Sequence, residues 1–116
     1  MIEYLKPLDE IKEILNLERS NIVILVKKDL NIIGLGKINL NSLDGYLLIE
    51  KSYRGNGYGK DLLYQLIDEA KKIGLEHMYI SCSNDDYIIK KIVLEVKGVH
   101  ISTNNNEVKY IIPLNK

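Results

Sequence analysis

Phenylalanine and tryptophan are absent from these 116 residues, and eight tyrosines are the only aromatics. Tyrosine must therefore fill space that phenylalanine often fills, so several phenolic hydroxyls are expected to be structural rather than catalytic. A single cysteine, Cys82, excludes an intrachain disulfide. With no signal-peptide pattern at the start, it points to a reducing, cytoplasmic setting. Sixteen basic residues balance sixteen acidic ones, which leaves no electrostatic footprint for general nucleic-acid binding. No apolar run approaches the roughly 20 residues of a membrane span, so no membrane partner is expected. The two histidines, His77 and His100, have no second histidine or carboxylate at ligand spacing, and no metal site is expected. The length suits one compact domain over 1–116 and is too short for a catalytic domain plus a separate binding domain.

Periodicity supplies the elements. Pro7 to Arg19 reads as a helix, with Leu8, Ile11, Ile14, Leu15 and Leu17 roughly on one stripe. Asn21–Lys28 and Asn31–Leu40 read as strands joined by a tight turn at Asp29-Leu30. Gly34 and Gly36, on one face of the second run, mark a bulge or a close approach by another group. Tyr46–Lys51 follows as a third strand, apolar on both faces until Glu50 and so central in a sheet. From Tyr58 to Ile73 the pattern is helical, and Gly74 stops it. His77–Ser83 reads as a buried strand, and Asp85–Lys97 as a helix ended by Gly98. Val99–Ser102 and Val108–Pro113 form a last hairpin, with Asn104 to Asn106 suited to the turn. The order predicts an α+β fold, with helices on both faces of a mixed, mostly antiparallel sheet. The strand-helix-strand step into His77–Ser83 makes those two strands parallel.

The junction RGNGYGK, Arg54 to Lys60, sets three glycines at alternate positions between an arginine and a lysine. It joins a strand to a helix. A helix N-terminus carries unsatisfied N–H groups and partial positive charge, and glycines let an anion approach them. The parts make a site for a phosphate or pyrophosphate. The spacing is not a P-loop, because Asp61 follows Lys60, and its third glycine comes one residue too early for a dinucleotide fingerprint. Alternatively the glycines serve only a tight turn, although a simple turn needs one.

Arg-x-x-Gly-x-Gly is the spacing that fits, and it resembles the acyl-CoA-binding motif of the GNAT superfamily of N-acetyltransferases. IEKSYRGNGYGKDLL looks like that family's fourth strand, loop and third helix. VKKDLNIIGLGKI is similar to its second and third strands, and SCSNDDYIIKKIVLEVKGV to its fifth strand and fourth helix. The resemblance runs from about Ile22 to Pro113. It implies a GNAT-like fold and acetyl-CoA as donor, with direct transfer of acetyl to an amine on a small molecule or protein. It also implies a possible homodimer.

The same resemblance assigns residues. Arg54, Gly55, Asn56, Gly57, Tyr58, Gly59 and Lys60 would hold the CoA pyrophosphate. Ile49, Glu50 and Lys51 would lie along the pantetheine arm, in a gap walled by Tyr46–Lys51 and His77–Ser83. Asn84 or Asp86 would match a cofactor-contacting asparagine. The tyrosine that many members carry as general acid is replaced by an aliphatic residue near Val93. One N-terminal helix stands where the family usually has a strand and two helices. These departures keep two alternatives open: a non-catalytic acyl-CoA-binding or regulatory domain, and a structural or oligomerising domain without ligand.

The remaining candidates each have a plain reading beside the functional one. Glu50 is a general base or amine contact, or a solvated charge at a strand end. Tyr87 covers the cofactor or donates a proton, or simply packs. Cys82 is expected to be a small buried hydrophobe rather than a catalytic thiol. Lys71-Lys72 and Lys90-Lys91 are expected to be solvated helix faces.

Overall fold

The β-branched runs pair into one sheet. The computed structural model describes residues 1–7 and 21–114. Its strands are β1 (Ile2–Leu5), β2 (Ile22–Lys28), β3 (Asn31–Ile38), β4 (Asp44–Ile49), β5 (His77–Ser83), β6 (Val99–Asn104) and β7 (Glu107–Pro113). They lie in the order β1-β2-β3-β4-β5-β7-β6. Among the described strands only β4 and β5 run parallel, joined through helix α1 (Tyr58–Lys72). Helix α2 (Tyr87–Glu95) joins β5 to β6. The result is the expected mixed, mostly antiparallel sheet with flanking helices.

Turn chemistry fixes the hairpins. Asn105 and Asn106 both take positive φ, 52° and 69°, as a two-residue hairpin turn of matching twist requires. Asp29 does the same between β2 and β3, at 55°. Asp86 sets the start of α2, because its side chain accepts a hydrogen bond from the Ile89 N–H at 3.0 Å. Asp85 therefore falls outside the helix, and the expected Asp85–Lys97 shrinks at both ends.

One apolar cluster lies on the sheet face under α1, while Val23 and Leu25, which alternate with Ile24 and Val26, are buried on the other face. Leu62, Leu63, Leu66, Ile67 and Ala70 form the buried stripe of α1, and they meet Ile24, Val26 and Ile38 from β2 and β3 in one apolar cluster. Gly36 permits this approach, since a Cβ there would stand 2.9 Å from carbons of Leu62 and Leu66. From α2, Ile92 and Val93 join the same cluster with Ile80 and Ile112. Both described helices thus share one sheet face. The helix expected over Pro7–Arg19 lies outside the described residues beyond Pro7, and so does any cover it gives the opposite face.

One expectation needs correction. The N-terminus does carry a strand: β1 pairs antiparallel with β2, from Ile2 opposite Lys28 to Leu5 opposite Leu25. Ile2–Leu5 does not announce a strand in sequence, because Tyr4 and Leu5 stand side by side and break the alternation. The bounds of β4 also move, from Tyr46–Lys51 to Asp44–Ile49, because Lys51–Tyr53 coils into a 3-10 turn. The strand is central, as expected. Its outer face is more open than expected, with Tyr46 and Leu48 about half exposed.

β1 also holds α1 in place. The Tyr4 hydroxyl donates to Asp61 Oδ2 at 3.2 Å. Burial first, then the Asp61 carboxylate, push the Tyr4 phenol up to about 12 from its ordinary 10.0. Between these values the unfolded chain releases a proton that the folded chain keeps, so stability falls as pH rises through that window. Melting curves from pH 9 to 12 should show a shallower alkaline decline for Tyr4→Phe than for the native chain. Equal slopes would remove Tyr4 from the account.

Candidate functional site

The site begins where β4 and β5 part. They pair only at Asp44 with Tyr79 and Gly45 with Ile80. Beyond Gly45, β4 keeps β3 on its other side as far as Gly34 opposite Ile49. The ladder bonds tell which backbone groups face the gap. Asn39 N–H donates to Asp44 C=O, and Glu50 N–H donates to Ile33 C=O. In an antiparallel ladder these groups alternate, so even-numbered residues of β4 bond β3 while Leu47 and Ile49 turn theirs toward the gap. The Arg54 Nε donates to the Ile49 carbonyl at 2.9 Å, which agrees with that direction.

At the end of β4 the chain turns through Lys51–Tyr53 into the glycine loop. Gly55 and Gly57 take φ of 84° and 83°, the left-handed region that L side chains resist. Gly57 is the N-cap of α1 and supplies no side-chain cap. The first intrahelical donor is Asp61 N–H, to Gly57 C=O at 3.1 Å. The N–H groups of Tyr58, Gly59 and Lys60 therefore point out of the helix end without helical acceptors. Gly59 differs from its neighbours. Its φ is not positive, and among the described residues a Cβ there would meet only Ile49 Cγ1, at 3.9 Å. The fold does not require a glycine at that position.

These elements enclose a cleft of about 370 Å³. Leu47, Leu48 and Ile49 of β4 form one wall, and Tyr53, Arg54, Gly55, Gly57, Tyr58, Gly59 and Lys60 form its end. Asp86, Ile88, Ile89 and Ile92 of α2 and its N-cap form the other wall, in place of the expected His77–Ser83, none of which lines the cleft. Of the residues proposed from sequence, Ile49, Arg54, Gly55, Gly57, Tyr58, Gly59, Lys60 and Asp86 come together here. Glu50, Lys51, Asn56, Asn84 and Tyr87 do not line the cleft.

Each of those five has another situation. Glu50 is exposed at the start of the 3-10 turn, and Ser52 Oγ donates to its carboxylate at 3.3 Å. Lys51 is exposed in that turn. The Asn56 amide donates to Tyr53 C=O at 3.1 Å and so helps shape the loop. Lys90 Nζ donates to Asn84 Oδ1 and lies 5.5 Å from the Tyr87 ring centroid. Tyr87 itself is 73% exposed. Sequence reasoning missed Tyr53 and the pair Ile88-Ile89 as cleft walls. Ile88 is 65% exposed, which the sequence does not announce, because periodicity puts it on the same apolar helix side as Ile92 and Val93.

Charge at the cleft mouth is positive but partly shared. Lys60 Nζ lies 3.3 Å from Glu95 Oε1, tying α1 to α2. Val93 is fully buried and packs against Gly98, so the helix offers no proton donor at that point. Cys82 is buried, and burial first, then Asp86, push its thiol up, as expected of a packing residue. Among the described residues no group of three or more His, Cys, Asp or Glu side chains is placed to hold a metal ion. Among the same residues no helix is long and apolar enough to cross a membrane.

Known proteins with this geometry are consistent among themselves. The structure of the ribosomal-protein-S18-alanine N-acetyltransferase from Escherichia coli superimposes with a TM-score of 0.79 at 11% identity, covering 100% of this chain and 96% of that one. A proposed acetyltransferase from Salmonella typhimurium, solved with its cofactor acetyl-CoA, gives 0.71 at 14% identity over 92% of this chain and 70% of that one. An N-acetyltransferase from Staphylococcus aureus Mu50 gives 0.72 at 17% identity over 91% and 73%. At these identities the likeness is one of fold. A search of curated proteins finds no match to the sequence. The family model for the acetyltransferase (GNAT) family matches residues 2–88, three quarters of the chain and the whole of the β4-loop-α1 segment, and the chain belongs to that family.

Proposed function

We propose that this chain binds acetyl-CoA in the cleft and transfers its acetyl group to a primary amine. Gly59 is the observation that carries the reading. Gly55 and Gly57 are explained by their backbone angles, but Gly59 is not, and a side chain there would project toward the cleft. A pyrophosphate drawn against the N–H groups of Tyr58, Gly59 and Lys60 needs that space. Arg54 and Lys60 supply the countercharge. The backbone groups of Leu47 and Ile49 that face the gap suit an extended arm with amide groups, laid along β4 like an added strand.

Acyl transfer then needs two things of the chain. An N–H of β4 in the gap polarises the thioester carbonyl, where a negative charge develops. The neutral amine attacks from the open side of the sheet. Glu50, which follows Tyr46 and Leu48 in alternation on that side, takes the ammonium proton through water. The acetyl-CoA in the Salmonella typhimurium structure supports the choice of donor. A second reading, a non-catalytic acyl-CoA binder, draws on the buried Val93, which stands where the family usually has its acid.

Two measurements test the cradle. Alanine at Gly59 should raise the melting temperature, because Gly→Ala at a compatible φ stabilises by about 0.4–1 kcal/mol. It should also weaken acetyl-CoA binding at least tenfold by calorimetry. Gly57→Ala should lower both, since the left-handed φ costs roughly 1–2 kcal/mol. A Gly59→Ala chain that binds acetyl-CoA normally would sink the proposal. Release of free thiol in the presence of an amine panel separates the enzyme from the binder.

The Lys60–Glu95 pair gives the other prediction. A bound phosphate must compete with Glu95 for Lys60. Glu95→Gln should therefore lower the acetyl-CoA Kd by up to about fivefold at low salt, the scale of an exposed pair worth ~1 kcal/mol. An unchanged or higher Kd would show that Lys60 does not meet the ligand.

A further inference from the structure

A second groove, of about 600 Å³, opens on the sheet face away from α1. Its position follows from side-chain alternation. Gly36 faces α1, so Lys37 faces away, and Lys37 pairs with Tyr46. Ile80 and Cys82 are buried in the core, so Ser81 between them faces away too, and it pairs with Lys109. Tyr46 and Ser81 belong to the first rung past the last β4–β5 pairing. Both line this groove, while Leu47 and Leu48, next along β4, line the cleft. The two cavities thus follow one another along β4, at the point where the sheet opens.

The charges in the groove are arranged by strand. Lys109 Nζ is held 3.3 Å from Asp44 Oδ1 and 4.7 Å from the Tyr79 ring centroid. That pair satisfies itself and ties β7 across β5 to β4. Lys37 and Glu107 also line the groove, and among the described residues neither has an ion-pair partner. They stand on opposite arms of the opening. Lys37 lies on β3, level with Tyr46. Glu107 lies on β7, level with Ser83 at the far end of β5. Apart from Tyr46 and Gly45, every described residue lining the groove is hydrophilic, and these residues offer little to an apolar amine.

We propose that this groove is the acceptor site and that its substrate is a free amino acid, a small molecule carrying one ammonium and one carboxylate. The proposal rests on the acyl-transfer reading above and names the substrate class for it. Glu107 receives the ammonium on the β7 arm, and Lys37 receives the carboxylate on the β3 arm. The ammonium gives up one proton to become a nucleophile. Its nitrogen then bonds the acetyl carbonyl carbon, and the carbon–sulfur bond breaks. The nitrogen's second proton goes to the departing thiolate. The products are N-acetyl amino acid, CoA thiol and one proton to solvent. No oxidant or metal enters the balance. Lys37 and Glu107 act here as binding and specificity-determining residues.

The test uses the full chain and three readouts. Acetyl-CoA binding is measured first by calorimetry. Each of the twenty L-amino acids is then titrated into ¹⁵N-labelled protein saturated with CoA, and the same set is assayed for thiol release from acetyl-CoA. Butylamine and butyrate serve as single-charge controls. At least one amino acid should shift the amides of Lys37, Ser81 and Glu107 and should be acetylated at least tenfold better than butylamine. Lys37→Met and Glu107→Gln should each raise its KM at least tenfold, with melting temperature and acetyl-CoA Kd unchanged. Normal acetyl-CoA binding with no acetylated amino acid, or butylamine serving equally well, overturns this inference alone. So do unchanged KM values in both variants. Absence of acetyl-CoA binding overturns the reading beneath it.

Discussion

Everything at the site depends on β4 and β5 holding together for two residues and then separating. The join is tight because Gly45 lacks a side chain: a Cβ there would fall 2.6 Å from Met78 Cε and 2.9 Å from the Tyr79 carbonyl oxygen. Past Gly45 the strand carries Tyr46, Leu47, Leu48 and Ile49, and β5 no longer follows it. A strand that loses one neighbour in mid-sheet leaves backbone donors and acceptors to be satisfied by something else. Arg54 satisfies the last of them, at Ile49. The remainder face the gap, so its hydrogen-bonding capacity comes from the backbone before any side chain is considered.

The loop that follows divides its work among three glycines. Gly55 and Gly57 let the chain turn from strand into helix, and their angles forbid most replacements. Gly59 asks nothing of the backbone and leaves space at the helix end. Alternate spacing in sequence therefore hides two kinds of position, two that the backbone requires to be glycine and one that it does not. Separating them makes the acyl-CoA reading testable apart from the stability of the fold.

Much of this was legible in sequence, for reasons that can be named. The stripe of α1 is visible because five buried residues, Leu62 to Ala70, keep helical spacing over roughly two turns. The cradle is visible because glycine at alternate positions is costly unless used. The Asn105-Asn106 turn is visible because few residue pairs accept two positive φ values. β1 was not legible, because Ile2–Leu5 has only two inward positions and pairs with a strand more than twenty residues away. The cleft wall at Ile88-Ile89 was not legible either. Periodicity placed both on one apolar side of a helix, but it cannot say that part of that side faces an opening instead of the core. Lys37 and Glu107 lie about seventy residues apart in sequence, and only the register of four strands brings them to one groove.

The missed strand bears on the site as much as the visible loop does. A helix N-terminus can serve as an anion site only if it stays in place while the ligand binds. At its own end α1 has no side-chain cap, and its first acidic residue, Asp61, engages Tyr4 rather than the open N–H groups. This arrangement keeps a carboxylate near the helix start without letting it occupy the cradle. It also fastens α1 to β1, and through β1 to β2 and β3, independently of the parted β4–β5 edge. Lys6 adds a second tie from the same segment, to Glu69 two turns further along α1, at 3.2 Å. The cradle is thus held from the side of the sheet that does not open, while the gap on its other side stays free for a ligand.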